Sequence, residues 1–414
     1  MSEDSTPTRP SAATAGPGAD EVAAGERASA DVLAKHDTSS RYRKDLGWWV
    51  WVVGGLSIAF TVYHLYAALE RPFNTWMHTS LHLAGATALI FFLYPPSRRL
   101  LDAPATGNRV ADALIGRGSR IPWYDVLLGF AGLGCNLYVF VEYSRLVSNS
   151  VQILGYSNLD YFVAILGVLL ILEGTRRCVG LPIVIIGGIA ILYGLFGNYS
   201  PVFTHSGMSL EDFATTMFLS NGSGIFGTPI QVSANFIFLF LFFAVMLVHT
   251  NIGQFFNDLA FRLTGRFTGG PAKAAVVASG LQGMVSGSSV ANTVASGSFT
   301  IPLMKRSGFK PHFAAATEAT ASTGGQLMPP IMGAAAFIMA QNVPDLEYNG
   351  LIVIAIIPAI LYFLGAFLSI HFEAKTDGIL GLSKASLPDG KELLKRLDLL
   401  LPLAVIILTL LSGM

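Results

Sequence analysis

Residues 279–330 read SGLQGMVSGSSVANTVASGSFTIPLMKRSGFKPHFAAATEATASTGGQLMPP, a stretch built almost wholly of small residues. A helix must fail in it twice. The first place is Ser286, Gly287, Ser288 and Ser289, inside an apolar run. The second is Ser322, Thr323, Gly324 and Gly325, followed by Pro329 and Pro330. In a soluble protein such clusters would be surface loops, yet the segments flanking these are too apolar for a surface. Irregular backbone at membrane depth is tolerated only where it is buried in protein or lines a cavity, because lipid cannot satisfy free N–H and C=O groups. Two breaks close together mark a candidate binding site in a membrane protein.

The rest of the chain supports a membrane reading. Of its 414 residues, 52% are hydrophobic and 13% charged, the latter about half the share of a soluble domain. The formal net charge is zero, so no global field recruits nucleic acid or acidic partners. Membrane lipid is the expected surrounding. Cys135 and Cys178 lie in or beside apolar segments and read as packing residues. Candidate spans are 47–69, 78–94, 124–144, 158–173, 179–197, 229–249 and 350–371, with a marginal run at 399–414; each is near the ~20 residues needed to cross hydrocarbon. Residues 1–45, rich in Ser, Thr, Ala, Gly and Pro with no apolar period, read as a disordered cytoplasmic tail.

Basic residues orient these spans. Arg41, Arg43 and Lys44 precede the first, and Arg98, Arg99, Arg109, Arg117 and Arg120 follow the second. Arg176 and Arg177 follow the fourth. Placing the N-terminus in the cytoplasm leaves only Arg71 and Arg145 in outer loops among these spans, the positive-inside pattern. Lys273 before the first break, and Lys305, Arg306 and Lys310 after it, put both flanks on the cytoplasmic side. The arms from Pro271 to Val285 and from Ser289 to Met304 are too short to cross, at about 20 Å each against a core of about 30 Å. The sequence therefore predicts an all-α polytopic membrane protein with one re-entrant helical hairpin, 271–304, and one broken helix, 312–341. Short interfacial helices are expected after Ser209, with Glu211 and Asp212 in the first turn, and over 253–264.

Several motifs carry little chemistry. Gly222, Gly224 and Gly227 match a dinucleotide fingerprint, but no strand precedes them and Pro229 follows, so a glycine-rich turn is expected. His78 and His82 are four apart with no third ligand of suitable spacing nearby, and read as an interfacial pair. Glu173 is expected to pair with Arg176 and Arg177. No paired carboxylates sit in an apolar run, and no nucleophile–base set is recognisable, so the chain does not read as an enzyme. No cofactor is expected.

Glu318 stands in a helix of small residues; it is either a functional, proton-linked group or a shallow one reaching headgroup water or Lys310. At the breaks, unwound Ser, Thr and Gly backbone supplies hard oxygen ligands for a cation such as Na⁺, and half-helix N-termini favour an anion. Packing through small residues would explain the Ala and Gly, but not Ser286, Ser288, Ser289, Asn292 and Thr293 beside a turn at mid-depth.

The runs GMVSGSSVANTVASGSFTIPLMKRSGF (283–309) and EATASTGGQLMPPIMGAAAFIMA (318–340) closely resemble the large membrane subunit of tripartite ATP-independent periplasmic (TRAP) transporters. The wording from Glu318 to Gly325 and the fused upstream helices look like the TAXI branch. Residues 46–175 are similar to the small four-helix subunit, and 176–414 to the first repeat of the large one. The resemblance implies a permease for ion-gradient-driven uptake of a small organic anion by an elevator mechanism, coupled to Na⁺ or H⁺. It implies an extracytoplasmic solute-binding protein as partner and a bacterial or archaeal cytoplasmic membrane as location. It carries the substrate and cation sites onto Ser286, Gly287, Ser288, Ser289, Asn292, Thr293, Thr320, Ser322, Thr323, Gly324, Gly325, Pro329 and Pro330. The family has two inverted repeats, and this sequence resembles a member lacking its C-terminal half, which is expected not to transport alone. The alternative is a non-transporting membrane scaffold that docks a periplasmic binding protein.

Overall fold

In a computed structural model of the chain, residues 42–43, 46–97, 121–201 and 203–411 are described. The expected tail over 1–45, apart from Tyr42 and Arg43, and most of the basic loop at 98–120 lie outside them. Every regular element among the described residues is helical. Among the described residues, seven helices are long and apolar enough to cross a membrane. They are α1 (Trp49–Glu70), α2 (Thr75–Leu93), α3 (Trp123–Val141), α4 (Asn158–Cys178), α5 (Leu181–Tyr199, ending in a 3₁₀ turn), α7 (Thr228–Val248) and α13 (Tyr348–Thr376). The expected spans differ from these by at most five residues at any end. The largest differences have a polar cause. Glu173 pairs with Arg176 at 2.7 Å and Arg177 at 2.8 Å, which carries α4 past its apolar stretch.

The described residues form two compact units, one up to Leu239 and one from Phe240 on; the boundary falls within α7. In the first unit α2 is the enclosed helix and α5 is almost entirely exposed, as an all-apolar helix facing lipid would be. Trp76, Phe91, Val139, Ala164, Phe213, Phe218 and Phe226 make its core. Helix starts follow the local chemistry. Asn74 caps α2 by accepting from the Met77 N–H at 3.1 Å. Ser157 and Asp160 form a capping box on α4, and Ser209 and Asp212 another on the short helix α6 (Leu210–Met217), as the Ser209 signal predicts. The glycine-rich motif is a tight turn: Gly224 has φ +54°, and a Cβ there would collide with the Thr216 and Met217 carbonyls. One buried ion network closes the unit. Asp125, fully enclosed, receives Arg43 at 2.5 Å and Arg177 at 2.7 Å. Arg43 also donates to the Phe91 and Phe92 carbonyls.

The second unit holds the amphipathic helix α8 (Ile252–Thr264), then α9 (Gly270–Ser286), α10 (Ser289–Arg306), α11 (Pro311–Gly324) and α12 (Ala334–Asn342), before α13 and the terminal α14 (Leu401–Leu411). α9 and α10 are the arms of the expected hairpin, with 17 and 18 residues. They pack on each other and on α11 through Ala272, Ala275, Val276, Met304, Ala314 and Ala321. Pro271 stands in the first turn of α9, where its missing N–H costs no hydrogen bond. On α8, Asn257 accepts from Gln282 of α9 at 3.1 Å.

Candidate functional site

The hairpin turns on one residue. Gly287 has φ +59°, where a Cβ would be strained, and Ser288 then returns to extended backbone to cap α10, its Oγ accepting from the Ala291 N–H at 3.3 Å. The second break begins where α11 ends at Gly324. Tight turns follow, Gly325 N–H to Ser322 O at 3.2 Å and Leu327 N–H to Gly324 O at 3.0 Å, and the Gly333 N–H closes the loop on Gln326 O at 2.8 Å. Tyr348 donates from its hydroxyl toward the Pro330 and Ile331 carbonyls, 2.6 and 2.8 Å away. Freed carbonyls inside the protein are thus given a donor.

These two breaks meet. A Cβ on Gly283 would collide with the Gly325 backbone, and one on Gly325 would come within 2.7 Å of Gly283 Cα. A Cβ on Gly287 would strike the Met332 carbonyl. Only glycine permits backbone to lie on backbone in this way. Gln326 reaches across to Ser289, Nε2 to Oγ, at 3.0 Å. Asn292 is buried below the tip. Its Nδ2 donates to the Ser279 carbonyl at 2.8 Å, and its Oδ1 has no hydrogen-bond partner among the described residues. A buried amide oxygen without a donor is an uncommon feature and suits a hard cation.

The sequence-derived residues divide. Ser286, Gly287, Ser288, Ser289, Asn292, Gly324 and Gly325 gather at the crossing, with Pro329 partly buried and Pro330 buried in the loop beyond. Thr293 and Thr323 turn their hydroxyls back to helix carbonyls, Ser289 O and Ala319 O, each at 2.8 Å. Thr320 is exposed, and its carbonyl accepts from Tyr362 at 2.8 Å. Ser322 points instead toward Glu318.

Glu318 is not shallow. It is wholly buried between α9, α10 and α11, and Lys310 lies near Glu373 and Asp377 instead, at 3.9 and 3.5 Å. Four hydroxyls surround its carboxyl. Ser279 at 2.8 Å, Ser322 at 3.0 Å and Ser296 donate to Oε1; Thr300 donates to Oε2 at 2.5 Å. No cation reaches it among the described residues. Two of these hydroxyls have a second choice. Ser296 Oγ lies 2.8 Å from Asn292 O, and Thr300 Oγ1 lies 3.0 Å from Ser296 O. With the carboxyl ionised, all four hydroxyl protons can point at it. With the carboxyl protonated, its own O–H donates, and Ser296 and Thr300 can turn to the carbonyls one turn earlier. Both charge states can be hydrogen-bonded without displacing a helix. Spacing alone hid this cage, since its members come from three helices. The hydroxyl residues one turn apart at Ser296 and Thr300, in line with Asn292, were the available signal.

The histidines are more than a pair. His78 and His82 are buried in the protein, and a third ring adjoins them: His64 of α1 meets His82 at 2.8 Å, Nε2 to Nδ1. His64 lies far from them in sequence, which is why spacing missed it.

Residues 166–414 match the family described as "Tripartite ATP-independent periplasmic transporter, DctM component". The chain is 30% identical over 218 residues to the C4-dicarboxylate TRAP transporter large permease protein DctM of Vibrio cholerae serotype O1 (strain ATCC 39315 / El Tor Inaba N16961), covering 52% of this chain and 44% of that one. It is 35% identical over 122 residues to the uncharacterized protein y4mL of Sinorhizobium fredii (strain NBRC 101917 / NGR234), covering 30% and 28%. The matches thus span under half the length of these curated relatives.

Proposed function

Because the chain belongs to the DctM family of TRAP transporter permeases, we propose that it is a membrane component of a secondary, ion-gradient-driven uptake system for a small organic anion. A dicarboxylate is the first candidate, from the name of the Vibrio relative. A solute-binding protein outside the cytoplasmic membrane would deliver the solute. The N-terminus would be cytoplasmic and the hairpin would enter from that side. Residues 46–175 would stand for the small subunit and 176–414 for the large one.

The observation that best supports this reading is the meeting of the two breaks, Gly283 on Gly325 and Gly287 on Met332, beside the unpartnered Asn292 Oδ1. Hydroxyl and amide oxygens of Ser286, Ser289 and Asn292 offer a hard cation ligands at the tip. The two half-helix N-termini that begin at Ser289 and Ala334 offer positive dipole ends to an anion. Glu318, behind them, would serve as the proton-linked group, its cage accommodating both charge states. Na⁺ at the tip and H⁺ at Glu318 are therefore separate readings of the coupling ion.

The test is uptake into vesicles that hold the transporter containing this chain, with its binding protein outside and Na⁺ and pH gradients imposed one at a time. Saturable uptake of a small carboxylate, accelerated by at least one gradient, is expected. Uptake indifferent to both would remove the coupled reading.

A further inference from the structure

The buried histidines of the first unit have no role in the reading above, and their hydrogen bonds determine their tautomers. His78 Nε2 faces the Ala234 carbonyl at 3.4 Å, which can only accept, so Nε2 carries the proton and Nδ1 accepts from the Tyr63 hydroxyl at 2.7 Å. His64 Nδ1 faces the Phe60 carbonyl at 2.8 Å and must carry its proton. When His64 is neutral, its Nε2 accepts, so His82 donates from Nδ1 across the 2.8 Å contact. His82 Nε2 is then the acceptor for the Ser233 hydroxyl at 3.1 Å. Three neutral rings satisfy every contact in one arrangement.

The same contacts admit one more proton at the pair. We propose that His64 and His82 form a single-proton site, loaded from the Ser233 end and holding its charge on His64. An incoming proton lands on Ser233 Oγ as that hydroxyl passes its own to His82 Nε2. His82 releases its Nδ1 proton to His64 Nε2, and Ser233 turns from donor to acceptor. One proton has entered, no group is left deprotonated, and each contact is kept with its polarity reversed. A second proton would set two N–H groups face to face between the rings.

Three further features favour this site. Phe238 stacks on His64, centroids 4.0 Å apart, and Phe60 packs edge-on at 4.4 Å, so the ring that gains the charge lies against aromatic surface. Residues Ser233–Ile237 form a π turn of α7, a departure frequent at functional sites, and it supplies both Ser233 and the Ala234 carbonyl. Among the described residues, the hydrogen bonds of the rings go to no charged side chain. Beside the histidines, α1 contributes Tyr63, and the π turn has no titratable group. On the helices packed against α2, Asp125 of α3 is held by Arg43 and Arg177, Asp160 of α4 by Arg145 and Tyr138, and Glu173 by Arg176 and Arg177. Cys135 and Cys178, also on α3 and α4, are free thiols. Among the described residues no three His, Cys, Asp or Glu side chains are placed to hold a metal ion, which leaves the proton as the ligand.

The proposal does not rest on the transport reading. Its test is solid-state NMR of the full chain in lipid vesicles with ¹⁵N-labelled histidine, followed from about pH 8 to about pH 4, a range that brackets ordinary imidazole titration. A ¹⁵N–¹⁵N coupling through the ring-to-ring hydrogen bond identifies the pair without any variant. At high pH both rings of the pair are expected as the Nδ1–H tautomer. On acidification one ring should become doubly protonated while the other converts to Nε2–H, in one transition taking up one proton per pair. Absence of the coupling, a pair that takes up two protons together, or a His82 tautomer unchanged while His64 is charged would overturn the site. So would two rings that stay neutral until circular dichroism reports unfolding.

Discussion

Asp125 and Glu318 are both wholly buried carboxyls, and their company is opposite. Asp125 lies between two guanidinium groups at 2.5 and 2.7 Å, so charge balances charge. Glu318 is met by four hydroxyls and no cation. Hydroxyls solvate a carboxylate without neutralising it, and they rotate freely between donor and acceptor roles. A carboxyl held by arginines has one useful charge state, and its removal strands Arg43 and leaves Arg177 only Glu173. A carboxyl held by hydroxyls can be hydrogen-bonded in either state. The difference separates a carboxyl fixed by ion pairs from one whose surroundings accommodate both charge states.

The sharpest way to break this comparison is by stability. Asp125→Ala should cost about 3–5 kcal/mol, because Arg43 is left without a carboxylate inside the protein and Arg177 keeps only Glu173. Glu318→Gln should cost under about 1.5 kcal/mol, since the amide keeps one acceptor for the hydroxyls and its new donors face oxygens with spare lone pairs. Thermal unfolding of the two variants beside the parent measures both; equal losses would show that Glu318 is as fixed as Asp125. Next in size, Gly283→Ala should lose about 1–3 kcal/mol and most of the uptake, because the added methyl meets Gly325 backbone that cannot yield as a side chain could. Gly54→Ala, on α1 with open space around it, is the control expected to change neither.

Two smaller effects sharpen the functional half. Glu318→Gln should flatten the pH dependence of uptake, and a profile superimposable on the parent's would leave Glu318 a purely structural residue. Asn292→Ala should raise the cation concentration for half-maximal uptake about tenfold, equivalent to about 1.4 kcal/mol of binding, with unfolding shifted less than for Gly283→Ala. A large shift in unfolding with no change in cation dependence would return Asn292 to packing.

Much of the fold was legible because membrane spans are long, apolar and punctuated. The hairpin arms followed from Pro271 and the Ser286–Ser289 cluster, and the broken helix from Thr323 to Gly325. The site was legible only along the chain. Ser286, Ser288 and Asn292 could be named from proximity to a turn, but that Gly287 abuts Met332 is a tertiary fact. Thr320 and Thr323 stand on α11 ahead of the break, Thr320 exposed and the Thr323 hydroxyl turned back to Ala319 O, and proximity to a break along the chain does not say which helix face meets the hairpin. Glu318 and His64 show the same limit. Three of the four Glu318 partners lie 18–39 residues away and the ring pair is 18 apart, beyond any helical periodicity; only Ser322 stands one turn from Glu318.

The hydroxyl cage also sets a clock. Turning Ser296 or Thr300 from the carboxyl to a backbone carbonyl is a rotation about one side-chain bond, a picosecond-to-nanosecond event for unhindered side chains, whereas packed helices slide in microseconds to milliseconds. The hydroxyls would therefore re-pair thousands of times within a single helix displacement. On the proposed proton-linked reading, the cage would add no delay of its own, and turnover would be timed by the helices and by proton access.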